Sequence, residues 1–147
     1  MPGYGMPAGT KGLLPWTWAE ERLRRSHNYY VMTVRPDHTP HAMPVWGIWI
    51  DHRFYFSTGA KSRKARNLDA NRSCVICTER SAEAVVVEGT AARLEDAARL
   101  EAIAPYYARK YKSFTLDPKM GPIFEVVPTV VFGLREKTFT STTRWTF

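Results

Sequence analysis

The chain has 147 residues, 44% of them hydrophobic and 13% aromatic, and a formal charge of +7 from 21 Lys and Arg against 14 Asp and Glu. That length suits one domain with a real core, since a chain of this size buries about 70% of its unfolded surface. No run approaches the ~18 apolar residues of a membrane span, and the positive balance favours anionic partners (nucleotides, phosphates, polyanionic tails or nucleic acid) without choosing among them.

Met1 to Lys11 is rich in Gly and Pro and lacks the apolar stretch of a secretory signal, so it is expected to be a flexible arm ahead of one domain spanning 12–147. Thr17-x-x-Glu20 reads as a capping box opening a helix to about Ser26, anchored by Trp16 and Leu23. Asn28 to Val34 is β-prone, and Arg35 to Pro40 is turn chemistry. A long second strand is expected over His41–Ile50, and a third over Phe54–Ser57 after a turn at Asp51–Arg53, making a meander. A short helix runs from Ser62 to about Ala70, followed by strands at Cys74–Thr78 and Ala84–Arg93, the second bent at Gly89. Asp96 caps a helix whose Leu100, Ile103, Tyr107 and Tyr111 share a stripe, with Pro105 kinking or dividing it. Ser113 to Pro122 is loop-like; Phe124 to Leu134 is a strand with Pro128 at an edge or bulge; Thr140 to Phe147 is a short basic tail. About six strands with short turns argue for a closed or nearly closed antiparallel barrel with helices packed outside it.

One segment breaks a local rule. The first turn of a helix carries partial positive charge and usually attracts Asp or Glu. Here the cap Ser62 is surrounded by Lys61, Arg63, Lys64 and Arg66, and the first acid is Asp69. Either this is a solvated basic helix or an anion sits among the cations. Free backbone N–H groups, a cap hydroxyl and ammonium groups form a phosphate cradle. The preceding β-prone run ending at Ser57-Thr58 favours that reading, because strand, glycine-containing turn and helix start is a recurrent phosphate site.

Elsewhere the signals are weaker. On the second strand Pro44, Trp46, Ile48 and Ile50 share one face, and Val45, Gly47 and Trp49 the other. Trp46 offers an apolar wall for a planar ring, or is core or dimer contact. Arg144-Trp145 suggests docking on a cofactor or partner subunit, or a surface staple. Cys74-x-x-Cys77 lies on a strand, where residues three apart face opposite ways, which argues for structural thiols over a redox or zinc pair. Reduced thiols and no export signal predict the cytoplasm. His27, His38, His41 and His52 are dispersed, so no metal is expected. With no nucleophile elbow or dinucleotide fingerprint, an enzyme on this chain would leave its difficult chemistry to a cofactor. Two other classes remain: a non-catalytic cofactor carrier, and a basic β-barrel binding single-stranded nucleic acid. The concentration of cations at one helix start speaks against the latter.

Pro44-Val45-Trp46, Tyr55-Phe56, Ser62-x-Lys64-x-x-Asn67-Leu68 and Thr143-Arg144-Trp145 together resemble the pyridoxamine 5′-phosphate oxidase-like split β-barrels, above all their flavin/deazaflavin oxidoreductase branch. The resemblance covers about Trp16 to the end. It implies a mainly β (α+β) split barrel of the FMN-binding type, and a homodimer with the cofactor at the subunit interface. The implied activity is hydride transfer between reduced coenzyme F-420 and a small organic acceptor, with an FMN flavoprotein as the alternative; neither nucleic acid nor membrane is an implied partner. By the same resemblance Ser62, Arg63 and Lys64 hold the cofactor phosphate, with Lys61 and Asn67 in the binding segment and Thr58 and the backbone of Ser57 beside it. Val45 and Trp46 border the ring, and Arg144 and Trp145 reach it from the partner. True pyridoxamine phosphate oxidases carry an Arg…Lys pair on the strand matching Met43–Trp49, which here holds no basic residue.

Overall fold

Alternation of buried and solvent-facing positions organises the strands in the computed structural model of the chain, which describes residues 9–112 and 114–147. Most of the expected N-terminal arm therefore lies outside the described residues. The elements in chain order are α1 (Trp16–Arg25), β1 (Tyr29–Val34), β2 (Pro40–Val45), β3 (Gly47–Ile50), β4 (Arg53–Ser57), α2 (Arg63–Ala70), β5 (Ser73–Thr78), β6 (Glu83–Arg93), α3 (Ala97–Lys110), β7 (Ile123–Arg135), a short 3-10 helix (Glu136–Ser141) and β8 (Thr143–Thr146).

All strand pairings are antiparallel, in the order β2-β1-β5-β6-β7-β4-β3, with β8 added beside β7. The two edge strands of that sheet, β2 and β3, are consecutive in the chain and separated only by Trp46. The sheet must therefore curl until its edges meet at that corner, leaving an open, split barrel. This corrects the single strand expected over 41–50: its halves pair with β1 and β4, at opposite ends of the sheet. The two hairpins exist, but they do not form a simple meander.

One cluster fills the barrel: Tyr29, Val31, Phe54, Phe56, Ile76, Val85, Val87, Phe124 and Val126 are fully or nearly fully buried there, with Leu23 of α1 and Leu68 of α2 closing it. A second cluster lies outside, where Ile103 and Tyr107 of α3 and its C-cap residue Tyr111 cover Ile48, Tyr55 and Ile123. The expected α3 stripe is thus the stripe that packs. Gly89 and Pro128 face each other across a break in the β6–β7 register. A side chain at Gly89 would meet the Val127 carbonyl oxygen at 2.3 Å, so the bulge needs that glycine.

Two expectations about the helices are corrected. Thr17 does not cap α1; the helix starts at Trp16 behind Pro15, two residues earlier than a Thr17 cap would set it, with no side-chain cap. Pro105 does not divide α3, which runs unbroken for 14 residues. The tail is ordered into β8, which continues the β7 edge beyond the stretch taken by β4. None of the described helices is long and apolar enough to cross a membrane.

Candidate functional site: a cation cluster at the start of α2

The chain leaves β4 at Ser57 and turns through Thr58–Lys61 into α2. The Thr58 amide donates to the Pro122 carbonyl at 3.2 Å, and the Ser62 amide to the Gly59 carbonyl at 2.9 Å. Gly121 buttresses this turn: a Cβ there would sit 2.2 Å from the Thr58 oxygen, and its φ of +156° suits only glycine. The Ser62 hydroxyl accepts from the Ala65 amide at 3.2 Å and lies 3.1 Å from the Thr58 hydroxyl. Ser62 is therefore the N-cap that its local sequence predicts.

That cap leaves the amides of Arg63 and Lys64 with no protein acceptor among the described residues. The same is true of the nearby charges. Lys61, Arg63, Lys64 and Arg66 have no carboxylate within ion-pair distance among the described residues. The nearest acid in sequence, Asp69, is committed to Arg93 at 2.7 Å. Burial holds the half-buried Lys64 amine below its ordinary pKa. A buried cation without a counter-charge is costly, and an anion against it reverses the sign.

Asn67 is 1% exposed and points inward, where its Nδ2 donates to the Thr33 hydroxyl of β1 at 2.9 Å. It fastens α2 to the barrel and so fixes where the cations stand. Thr33 faces His41 across the β1–β2 pair. His41 thereby comes under the electrostatic influence of Arg63 and Lys64, a neighbour that sequence spacing did not disclose.

The remaining candidates lie elsewhere. Val45 is 8% exposed and belongs to the barrel interior. Trp46 stacks on Tyr111, the C-cap residue of α3, with ring centroids 4.7 Å apart and planes 7° apart. Both sit at the far end of β2 from His41, four and five residues on, or about 13–17 Å along an extended strand. Trp145 packs edge-on to Trp16 at 5.4 Å and over Gly133, so its indole staples β8 to α1. Arg144 points the other way and is exposed.

Arg144 ends a row that only the register reveals. Pro44, Tyr30, Cys77, Val86 and Phe132 lie side by side across β2, β1, β5, β6 and β7, with Arg144 of β8 next. All are exposed or half-buried on the outer face. Cys74 points into the barrel, where burial pushes its thiol up to about 12; Cys77 lies in the outer row. Both thiols are free, and the described residues hold no group of three or more metal-ligating side chains. One groove of about 550 Å³ lies elsewhere, between β3 and α3, and is lined by Arg24, Trp49, Arg99 and Lys110 among others.

Comparison with known proteins bears on this architecture. A family model described as pyridoxamine 5′-phosphate oxidase matches residues 18–132. Among solved structures, an F-420 reductase shares 25% identity over 76% of this chain and 94% of its own, with a TM-score of 0.59. General Stress Protein 26 of Bacillus anthracis gives 0.70 at 17% identity, covering 89% of this chain and 97% of its own. A conserved hypothetical protein of Mycobacterium tuberculosis gives 0.69 at 20% identity, over 88% and 90%. These last two likenesses concern the fold alone. No curated protein matches the sequence.

Proposed function

The chain belongs to the pyridoxamine 5′-phosphate oxidase family of split β-barrels, and from that premise we propose that it is an oxidoreductase that binds FMN by its phosphate at the start of α2. The carrying observation is the set of four cations and two free amides gathered without a carboxylate. That donor set fits a phosphate monoester, which brings close to two negative charges and three acceptor oxygens. Ser62, Arg63 and Lys64 hold the phosphate in this reading, Lys61 and Arg66 add to the field, and Thr58 supplies a hydroxyl. Asn67 acts through α2, as the tether to Thr33.

When bound, the flavin supplies the hydride chemistry; the protein orients it and excludes water. The strand from Met43 to Trp49 has no basic residue, which argues for an organic substrate other than pyridoxamine phosphate. The deazaflavin F-420 is the second reading, favoured by the likeness at 25% identity to an F-420 reductase. Titration with both cofactors decides. Tight FMN binding without retention of F-420 supports the first, the converse supports the second, and binding of neither overturns both.

The outer apolar row supports a homodimer as the functional unit. α3 covers the outer face at β3, β4 and the start of β7, but not the row from Pro44 to Phe132. A second copy offers the same row and buries both. It would also bring Arg144 of the partner to the neighbouring surface, and Val45 and Trp46 of one chain toward the phosphate held by the other. Sedimentation of wild type and Phe132→Asp tests this: a wild-type dimer, and a folded monomer that has lost FMN, are expected. A wild-type monomer that retains FMN sinks the proposal. Two free thiols agree with a reducing compartment, the cytoplasm.

A further inference from the structure

His41 is the one titratable group of β2, and its position follows from register. It lies directly across from Thr33, the residue on which Asn67 docks α2. Its surroundings are of one sign. Arg35 from the β1–β2 turn and Arg63 and Lys64 from α2 all act on the imidazole, and no carboxylate does. Burial first, then these three cations, hold its pKa below the ordinary histidine value. The nearest acid in that turn, Asp37, is occupied by the amide and hydroxyl of Thr39 at 3.0 and 2.6 Å. Arg35 donates to the Pro40 carbonyl and the Thr39 hydroxyl, so it too lacks a carboxylate.

Two buried polar atoms beside this junction have no hydrogen-bond partner: Nδ1 of His41 and Oδ1 of Asn67. A buried nitrogen without a partner is disfavoured in a finished structural contact. Among groups of one sign, such an imidazole is biased toward its neutral form until an anion enters. A phosphate-type anion inverts the field, and charged imidazole then becomes a donor at both nitrogens.

We propose that His41 is a further anion-binding group of the α2 site, neutral when the protein is alone and protonated when a phosphate-type anion binds, so that binding takes up a proton. This rests on the reading of the α2 start as a phosphate site and adds to it a residue from β2, the strand paired with the one on which α2 docks. No bond other than N–H forms or breaks; solvent supplies the proton.

Sulfate is the probe, because its charge is constant between pH 5.5 and 8, so that any pH dependence belongs to the protein. The His41 ring signals are followed by NMR across that range with and without saturating sulfate, and sulfate affinity is measured calorimetrically on wild type, His41→Gln and Lys64→Ala. The expected result is a His41 pKa higher by about one unit with sulfate, and an affinity that rises up to about tenfold from pH 8 to 5.5. His41→Gln should lose that rise. An unmoved His41 titration in the wild-type protein, or a pH slope that survives in His41→Gln, overturns the inference. The failures are separable. If Lys64→Ala leaves both sulfate and FMN affinity unchanged, the phosphate site itself is misplaced; if Lys64→Ala weakens them while His41 does not respond, only the role of His41 falls.

Discussion

Two basic regions of this molecule have opposite bookkeeping. Around α1 and β6, Arg22 donates to Glu83 at 2.8 Å, lies 3.9 Å from the Trp18 ring, and shares Glu83 with Arg135; Arg25 faces Glu21 at 3.1 Å. Around the start of α2, four cations face no carboxylate among the described residues. The same residue types therefore do different work. In the first region charge is consumed by the fold and holds a helix to a sheet. In the second the fold spends structure, through the Ser62 cap, the Asn67 tether and the Gly121 buttress, to hold charge in place without neutralising it. Unneutralised charge on a rigid support is what a ligand site requires.

The sharpest way to break this contrast is Lys64→Ala. It should weaken FMN binding by about 1.5–3 kcal/mol, or roughly 10- to 150-fold, as for a lost charge-assisted hydrogen bond. The melting temperature of the protein without cofactor should hold or rise, because a half-buried amine without a partner is gone. Arg22→Ala should do the reverse. Loss of the guanidinium–indole contact alone removes about 1 kcal/mol of stability, visible as a lower Tm, while FMN affinity stays as it was.

Acid separates the regions further. The hydrogen bond from Arg22 holds Glu83 below the ordinary carboxylate pKa. A carboxylate with a depressed folded pKa stabilises above its unfolded pKa of about 4.3, and that contribution is lost as pH falls through the folded value. Arg22→Ala should therefore flatten the acid limb of Tm against pH, and Lys64→Ala should leave it alone. The smallest effect belongs to Arg93→Ala. Arg93 and Asp69 are both nearly half exposed, and such pairs contribute little. A change in FMN affinity there would show that Asp69 shapes the α2 field after all.

Much of this was legible in the residues. The Ser62 cap, the cations after it and the β-prone run before it are local features, and local chemistry survives into the fold. The α3 stripe and the Gly89 bulge were legible for the same reason. What escaped depends on which strand pairs with which. The stretch from His41 to Ile50 reads as one strand because its alternation continues through Trp46; the change of partner there is set by β1 and β4, not by its own residues. Thr17 and Glu20 have the spacing of a capping box, but the packing of Trp16 against Trp49 and Trp145 goes with a start two residues earlier. His41 looked isolated because two of its three cationic neighbours, Arg63 and Lys64, are more than twenty residues away and arrive only when α2 docks on Thr33. The outer apolar row is likewise invisible until six strands are in register.

β7 has a consequence for the birth of the molecule. It pairs with β6 along one edge and, on the other, with β4 and then β8. Until a ribosome has made residues 123–135, the β3–β4 hairpin has no place in the sheet, and the strands already made can only wait. Such long-range dependence slows folding and prolongs the exposure of sticky surfaces. Nascent chains should thus stay protease-sensitive until β7 leaves the exit tunnel, then become resistant in one step.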